Sequence, residues 1–229
     1  MQPVASSFSV LTEEERSLGV CLVDIGGGTT DVAIFTEGDI KHTAVIPIAG
    51  KNVTNDIRIG LRTSLEAAEE IKMSEGSLIN SAEDDQKVIS VPSVSDKPDM
   101  EISKSSLTHI ITCRMDEILS QLIKEIESSG YSSSIRAGIV MTGGGSKLQG
   151  LDSYTENKYN IPVRIGSPKP IPGITNLSGL TRFSTAVGLL LYRDDQLKKM
   201  PHRKLPKNSF LTYLYKTWNR ISSYFHREL

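Results

Sequence analysis

Two aspartates, seven residues apart, bracket three consecutive glycines in Asp24-Ile25-Gly26-Gly27-Gly28-Thr29-Thr30-Asp31. Without side chains at Gly26, Gly27 and Gly28, backbone N–H groups can close on phosphate oxygens, and Thr29 can add a hydroxyl. Asp24 and Asp31 are placed to orient the waters of a phosphate-bound Mg²⁺, a cation that keeps several waters and takes few protein ligands. The competing reading is a tight hairpin that the aspartates cap; the two flanking carboxylates favour the phosphate site. A second cluster, Thr142-Gly143-Gly144-Gly145-Ser146-Lys147, has the form of a strand end entering a helix start, where a polar or anionic group is favoured. This second cluster fits neither GxGxxG nor GxxxxGK[ST], so neither a dinucleotide fingerprint nor a P-loop is supported. Alone, the second cluster reads equally as a tight turn; paired with the first, it points to a shared ligand.

The elements that position these loops follow from apolar patterning. Gly19–Ile25, Asp31–Thr36 and Ile40–Ile48 are strand candidates, with a turn at Glu37-Gly38-Asp39, followed by helices over about Asn52–Arg62 and Ser64–Glu75, the second capped by Ser64. The stretch from Gly76 to Ser106 is polar, with one strand candidate at Lys87–Val91. Leu107–Ile126 repeats apolar residues at helical spacing and closes at Gly130. Ala137–Met141 predicts a strand entering the second glycine cluster, then a helix to about Lys158, a strand at Pro162–Ile165 and a last core helix at Ser184–Tyr192. The class is α/β: a mixed sheet with helices on both faces.

Composition sets the outer limits. The 229 residues, 38% hydrophobic and 23% charged, suffice for one large domain or two small ones. Eight basic residues against one acid lie from Lys198 onward, a charge of +7, leaving 18 basic against 26 acidic residues, −8, in the remainder. That acidic body argues against a nucleic-acid partner, while the basic tail suits an anionic one. Two distant cysteines give no disulfide framework, with Cys21 read as a small buried hydrophobe, and four scattered histidines show no metal spacing. No secretory signal or membrane span is read, so the body is expected in the cytosol.

Leu211, Leu214, Trp218, Ile221 and Phe225 recur at spacings of three and four, with Lys216, Arg220 and Arg227 on the other side. A basic amphipathic helix with aromatic anchors suits an anionic membrane surface, each cation contributing about 1 kcal/mol there. A final helix docked on the domain or on a partner is the bland alternative; the linker at 194–208, with Pro201 and Pro206, favours the membrane.

On these motifs the chain resembles the FtsA family of the actin-like ATPase superfamily. DIGGGTTD (24–31) is similar to the superfamily's second phosphate motif, TGGGSKLQG (142–150) to its adenosine motif, AEEIK (68–72) to its ribose-contacting helix, and STAVGLL (184–190) to its second connecting helix. LTEEERSLGV (11–20), VIPIAGKNVTNDI (45–57) and the tail are more specific to FtsA. The resemblance implies an actin-like (ribonuclease H-like) lobe over 19–62 and 131–193, a lead-in at 1–18, a small inserted α/β subdomain at 63–130, a basic linker at 194–208 and a membrane helix at 209–229.

It further implies ATP and Mg²⁺ as cofactors. Gly26, Gly27, Gly28 and Thr29 would hold phosphates, Asp24 and Asp31 the cation's waters, Glu69 and Lys72 the ribose side, and Gly143, Gly144, Gly145 and Lys147 the adenosine. Implied partners are FtsZ, docked around Lys104, Arg114 and Glu117, other FtsA-like subunits, and anionic inner-membrane lipid. Met100 stands where the family has a basic residue. Implied too are peripheral attachment to the cytoplasmic side of the inner membrane and an adaptor role rather than an enzymatic one. The chain has about the length of one half of a family member, so half of the nucleotide cleft is expected to be missing and ATP binding to be weak. The alternative is an ATPase or kinase-like enzyme of the same superfamily.

Overall fold

The computed structural model describes residues 2–81, 83–94, 98–171 and 180–199, the last seven in backbone only. By internal packing the chain divides into Met1–Tyr192 and Arg193–Leu229. The linker expected at 194–208 is helical through Lys199; its remainder and the tail helix at 209–229 lie outside the described residues.

Five strands form the main sheet: β1 (Val20–Ile25), β2 (Thr30–Thr36), β3 (Asp39–Ile46), β6 (Ile139–Thr142) and β7 (Val163–Ile165), in the order β3-β2-β1-β6-β7. The first three are an antiparallel meander; β6 and β7 run parallel to β1, so the sheet is mixed as the pattern predicts. β4 (Val88–Val91) and β5 (Met100–Ser103) pair as a separate ribbon. The β5 strand is too short, at four residues, for its pattern to be read from sequence; it is fixed by its pairing with β4.

The period-2 alternation of β1 sorts its side chains onto two faces. Cys21, Val23 and Ile25 join one core with α3 (Gly50–Leu61), α4 (Leu65–Glu75), α5 (Lys104–Ser128) and α6 (Leu151–Tyr159). The inserted segment at 63–130 shares that core, since Ile71, Ile89, Leu107 and Leu122 belong to the same cluster as Val23. Cys21 is fully buried, and burial pushes its thiol pKa up. Val20 and Leu22 face the other way, against Val10 and Leu11 at the end of α1 (Gln2–Val10).

The lead-in at 1–18 carries two helices, α1 and α2 (Glu13–Leu18), joined by the non-helical Leu11 and Thr12. The serines at 6, 7 and 9 break the apolar period of α1, yet all three are buried and hydrogen-bonded. A capping box between Thr12 and Glu15, visible in the sequence as T-x-x-E, starts α2. Glu15 also binds Arg164 of β7 (2.6 and 2.7 Å), tying α2 to the sheet edge. The last helix, α7 (Ser184–Lys199), runs beyond the Tyr192 end expected for it. Among the described residues no helix is long and apolar enough to cross a membrane.

Candidate functional site

The first glycine loop closes the hairpin between β1 and β2, with Gly26 N–H donating to the Thr29 carbonyl (2.9 Å). Two of its carbonyls are taken by the start of α3: Gly26 O accepts from Gly50 N (3.1 Å) and Gly27 O from Lys51 N (2.8 Å). No peptide here is cis. In a planar trans peptide the N–H opposes its C=O, so the N–H groups of Gly27 and Gly28 point away from α3. Neither donates to a described residue, and both glycines are exposed. The result is a pair of successive free donors, an anion-attracting ridge.

Asp24 and Asp31 face each other in register across β1 and β2, on the α1 side of the sheet. Opposite residues of an antiparallel pair hold their Cβ atoms about 5 Å apart, so the carboxylates are neighbours. Both are buried. Asp24 Oδ2 accepts from Ser6 Oγ (2.5 Å) and Thr185 Oγ1 (3.0 Å), and Asp31 Oδ2 from Thr29 Oγ1 (3.0 Å). Burial pushes the Asp24 carboxyl above its ordinary range; hydroxyl donation opposes this, and the Asp31 charge adds to it.

Glu69 and Lys72, on α4, meet at the first turn of α3. Lys72 Nζ donates to Glu69 Oε2 (2.7 Å), Thr54 Oγ1 (2.8 Å) and Gly50 O (3.3 Å). Burial works against the Glu69 charge, but hydrogen bonds from Lys72 and Thr54 and the lysine charge hold its pKa below the ordinary value. Gly50, whose N–H holds the glycine loop, is thus gripped by Lys72 from the other side.

The second glycine cluster differs from expectation. No helix starts there: Gly145–Lys147 is a single 3-10 turn, and α6 begins only at Leu151. The reason lies in the intervening contacts. Gly143 O accepts the hydroxyls of Ser146 (2.8 Å) and Thr181 (2.6 Å), while Gln149 O accepts from Leu78 N (2.8 Å). Gly143 and Gly145 pack onto Ile25, whereas Gly144 and Lys147 are exposed. Both glycine loops therefore meet at the end of β1, with Glu69 and Lys72 alongside the first.

The residues expected to meet a protein partner are separate. Arg114 binds Asp56 of α3 through two nitrogens (2.6 and 3.0 Å) and also pairs with Glu117. The hydrogen bonds to Asp56 come first in raising its pKa. Lys104 stands ten residues earlier on α5, where Asp84 lies 3.9 Å from its Nζ. At 100° per residue it lies roughly 80° around the helix from Arg114 and roughly 140° from Glu117.

The family model described as cell division protein FtsA matches residues 21–188. The chain belongs to the FtsA family. The cell division protein FtsA of Pseudomonas aeruginosa is 49% identical over 192 residues, covering 84% of this chain and 46% of that protein. The Escherichia coli protein is 41% identical over 196 residues, covering 82% of this chain and 47% of that protein. The chain spans about half the length of the FtsA relatives it matches. Among solved structures, MreB5 of Spiroplasma citri bound to ADP superposes with a TM-score of 0.71 at 22% identity, covering 86% of this chain and 60% of that one. The PilM chain of a type IV pilus PilM–PilN complex gives 0.64 at 21%, covering 84% and 51%. The fold of this FtsA-family chain is therefore actin-like.

The sequence missed Ser6 and Thr185 as partners of Asp24. They lie 18 and 161 residues away from it. Ser184-Thr185 was read only as part of a connecting helix, and no spacing rule links either hydroxyl to a strand-end carboxylate.

Proposed function

We propose that this chain is the phosphate-cradling and membrane-facing part of an FtsA-type adaptor that tethers FtsZ filaments to the inner face of the cytoplasmic membrane. One observation carries the nucleotide part: the paired N–H groups of Gly27 and Gly28, flanked by the adjoining carboxylates of Asp24 and Asp31. The fit to ATP·Mg²⁺ is supported at Gly28, where an added Cβ would meet nothing within 4 Å and φ is not positive. Packing therefore does not demand a glycine there, while close approach of a phosphate does. Gly27, Gly28 and Thr29 would hold phosphate oxygens, Asp31 and the Oδ1 of Asp24 would orient the cation's waters, and Glu69 and Lys72 would face the ribose. Bound ATP·Mg²⁺ would supply a polyphosphate charge whose presence the chain can register.

The adaptor reading rests on family membership; Asp24, buried and accepting two hydroxyls, is read within it as a group that holds the cation's waters. The tether part rests on the amphipathic, basic sequence of 209–229 and on family membership. Flotation with vesicles of anionic or zwitterionic lipid tests it, using the full chain and a form ending at Asn208. The expected result is FtsZ recruitment to anionic vesicles by the full chain alone. Unchanged vesicle binding after removal of 209–229 would overturn the tether.

A further inference from the structure

The carboxylate of Asp24 is held from two ends of the chain at once. Ser6, on α1, and Thr185, on α7, each donate a single hydroxyl proton to the same oxygen, Oδ2, at 2.5 and 3.0 Å, and their own oxygens are 3.0 Å apart. Gln2 O, at 3.2 Å, is the weaker claimant on the Ser6 proton. The other oxygen, Oδ1, lies on the side of the second glycine loop, 2.5 Å from where a Cβ on Gly143 would stand.

The two helices that supply these hydroxyls are themselves locked together. A Cβ on Gly188 would collide with the Ala5 carbonyl, so the backbones touch. Ser9 Oγ donates to Ser184 O (2.7 Å), and the rings of Phe8 and Tyr192 lie 5.2 Å apart. Asp24 thus sits where α1 meets α7, at the end of β1.

We propose that Ser6 and Thr185 are positioning residues that clamp Asp24 Oδ2, leave Oδ1 for the hydrated cation, and so couple Mg²⁺-dependent nucleotide binding to the packing of α1 on α7. The proposal rests on the nucleotide reading given above. Coupling of this kind is reciprocal: if the clamp strengthens cation binding, the bound cation must tighten the clamp.

The test compares affinity for ATP with and without Mg²⁺ in the 229-residue chain and in Ser6→Ala, Thr185→Val and their combination, alongside amide hydrogen exchange across α1. Both hydroxyl bonds are made before any ligand arrives, so losing one weakens cation binding through the orientation of Oδ1, an effect on the order of one decade of affinity for a hydrogen bond to a charged group. Each single variant is therefore expected to lose about tenfold of the Mg²⁺-dependent gain and keep its Mg²⁺-free affinity, with Thr185→Ser restoring the gain. In the unaltered chain Mg²⁺·ATP should slow exchange in α1, and in the double variant it should not.

Ser9→Ala is the control, since it cuts an α1–α7 hydrogen bond without touching Asp24. It should lower the melting temperature and, through the same reciprocal coupling, lower the Mg²⁺ ratio by less than Ser6→Ala does. Should Ser6→Ala unfold the chain, Thr185→Val against Thr185→Ser decides alone. Equal losses with and without Mg²⁺, or a full Mg²⁺ gain retained by the variants, would overturn the clamp while the nucleotide reading survives. No Mg²⁺-dependent binding by the unaltered chain would remove both.

Discussion

At Gly28 an added Cβ would meet open space, whereas at Gly143 it would run into the Ile25 carbonyl and the Asp24 carboxylate, on a backbone with φ +88°. The two loops have the same three glycines and open from neighbouring parallel strands. One is hung by its carbonyls from α3, leaving its N–H groups free; the other is folded onto the end of β1, its carbonyl at 143 taken by two hydroxyls. Glycine serves access in the first and close packing in the second. A triplet of glycines in a sequence therefore does not say which side of the backbone is meant to stay empty.

Substitution at the two positions should separate these roles. Gly143→Ala is expected to cost about 3 kcal/mol or more, since strain and overlap coincide there; urea denaturation measures it, and a loss under 1 kcal/mol would erase the contrast. Gly28→Ala should leave stability within about 0.5 kcal/mol, because the residue it introduces fits the backbone. Its ATP affinity should fall about tenfold, as a methyl group intrudes where phosphate must approach, readable by titration calorimetry.

The carboxylates sharpen the comparison through pH. Asp24 has a folded pKa raised above its unfolded value, so its ionisation disfavours the fold as pH rises from the unfolded value through the folded one. Asp24→Asn is expected to raise the melting temperature near pH 8 relative to the unaltered chain, to converge with it in acid, and to lose Mg²⁺-dependent binding. Glu69 has the opposite sign: its folded pKa is lowered, so its contribution is present above the unfolded pKa and disappears as pH falls through the folded one. Glu69→Gln should flatten that acid limb by less than about 0.5 kcal/mol, since its side chain is 44% exposed and solvent screens the pair. Thermal melts between pH 3 and pH 8, a range chosen on the order of these carboxylate values, distinguish the two.

Much of this was legible because it is local. The strand-glycine-strand grammar around 24–31, the Ser64 cap of α4 and the apolar stripe of α5 follow from spacing alone. What escaped depends on distant partners. The α1 helix hides because serines interrupt its buried face between Ala5 and Val10, and Ser6 and Ser9 are held there by Asp24 and Ser184 rather than by apolar area. The pairing of Arg114 with Asp56, 58 residues away, could not be read from sequence either. The expected helix ends where the pattern puts it but starts late, at Leu151, because hydroxyls from nearby Ser146 and distant Thr181 take the 143 carbonyl and hold the intervening chain as a single turn.

The suspension of the first loop from α3 by the carbonyls of Gly26 and Gly27 has a consequence for how the site can change over time. Its attraction for negative charge is written into main-chain direction, which no side-chain replacement reverses. Drift at surrounding positions can tune how tightly an anion is held, but inverting the sign of the preference would require re-threading the hairpin itself.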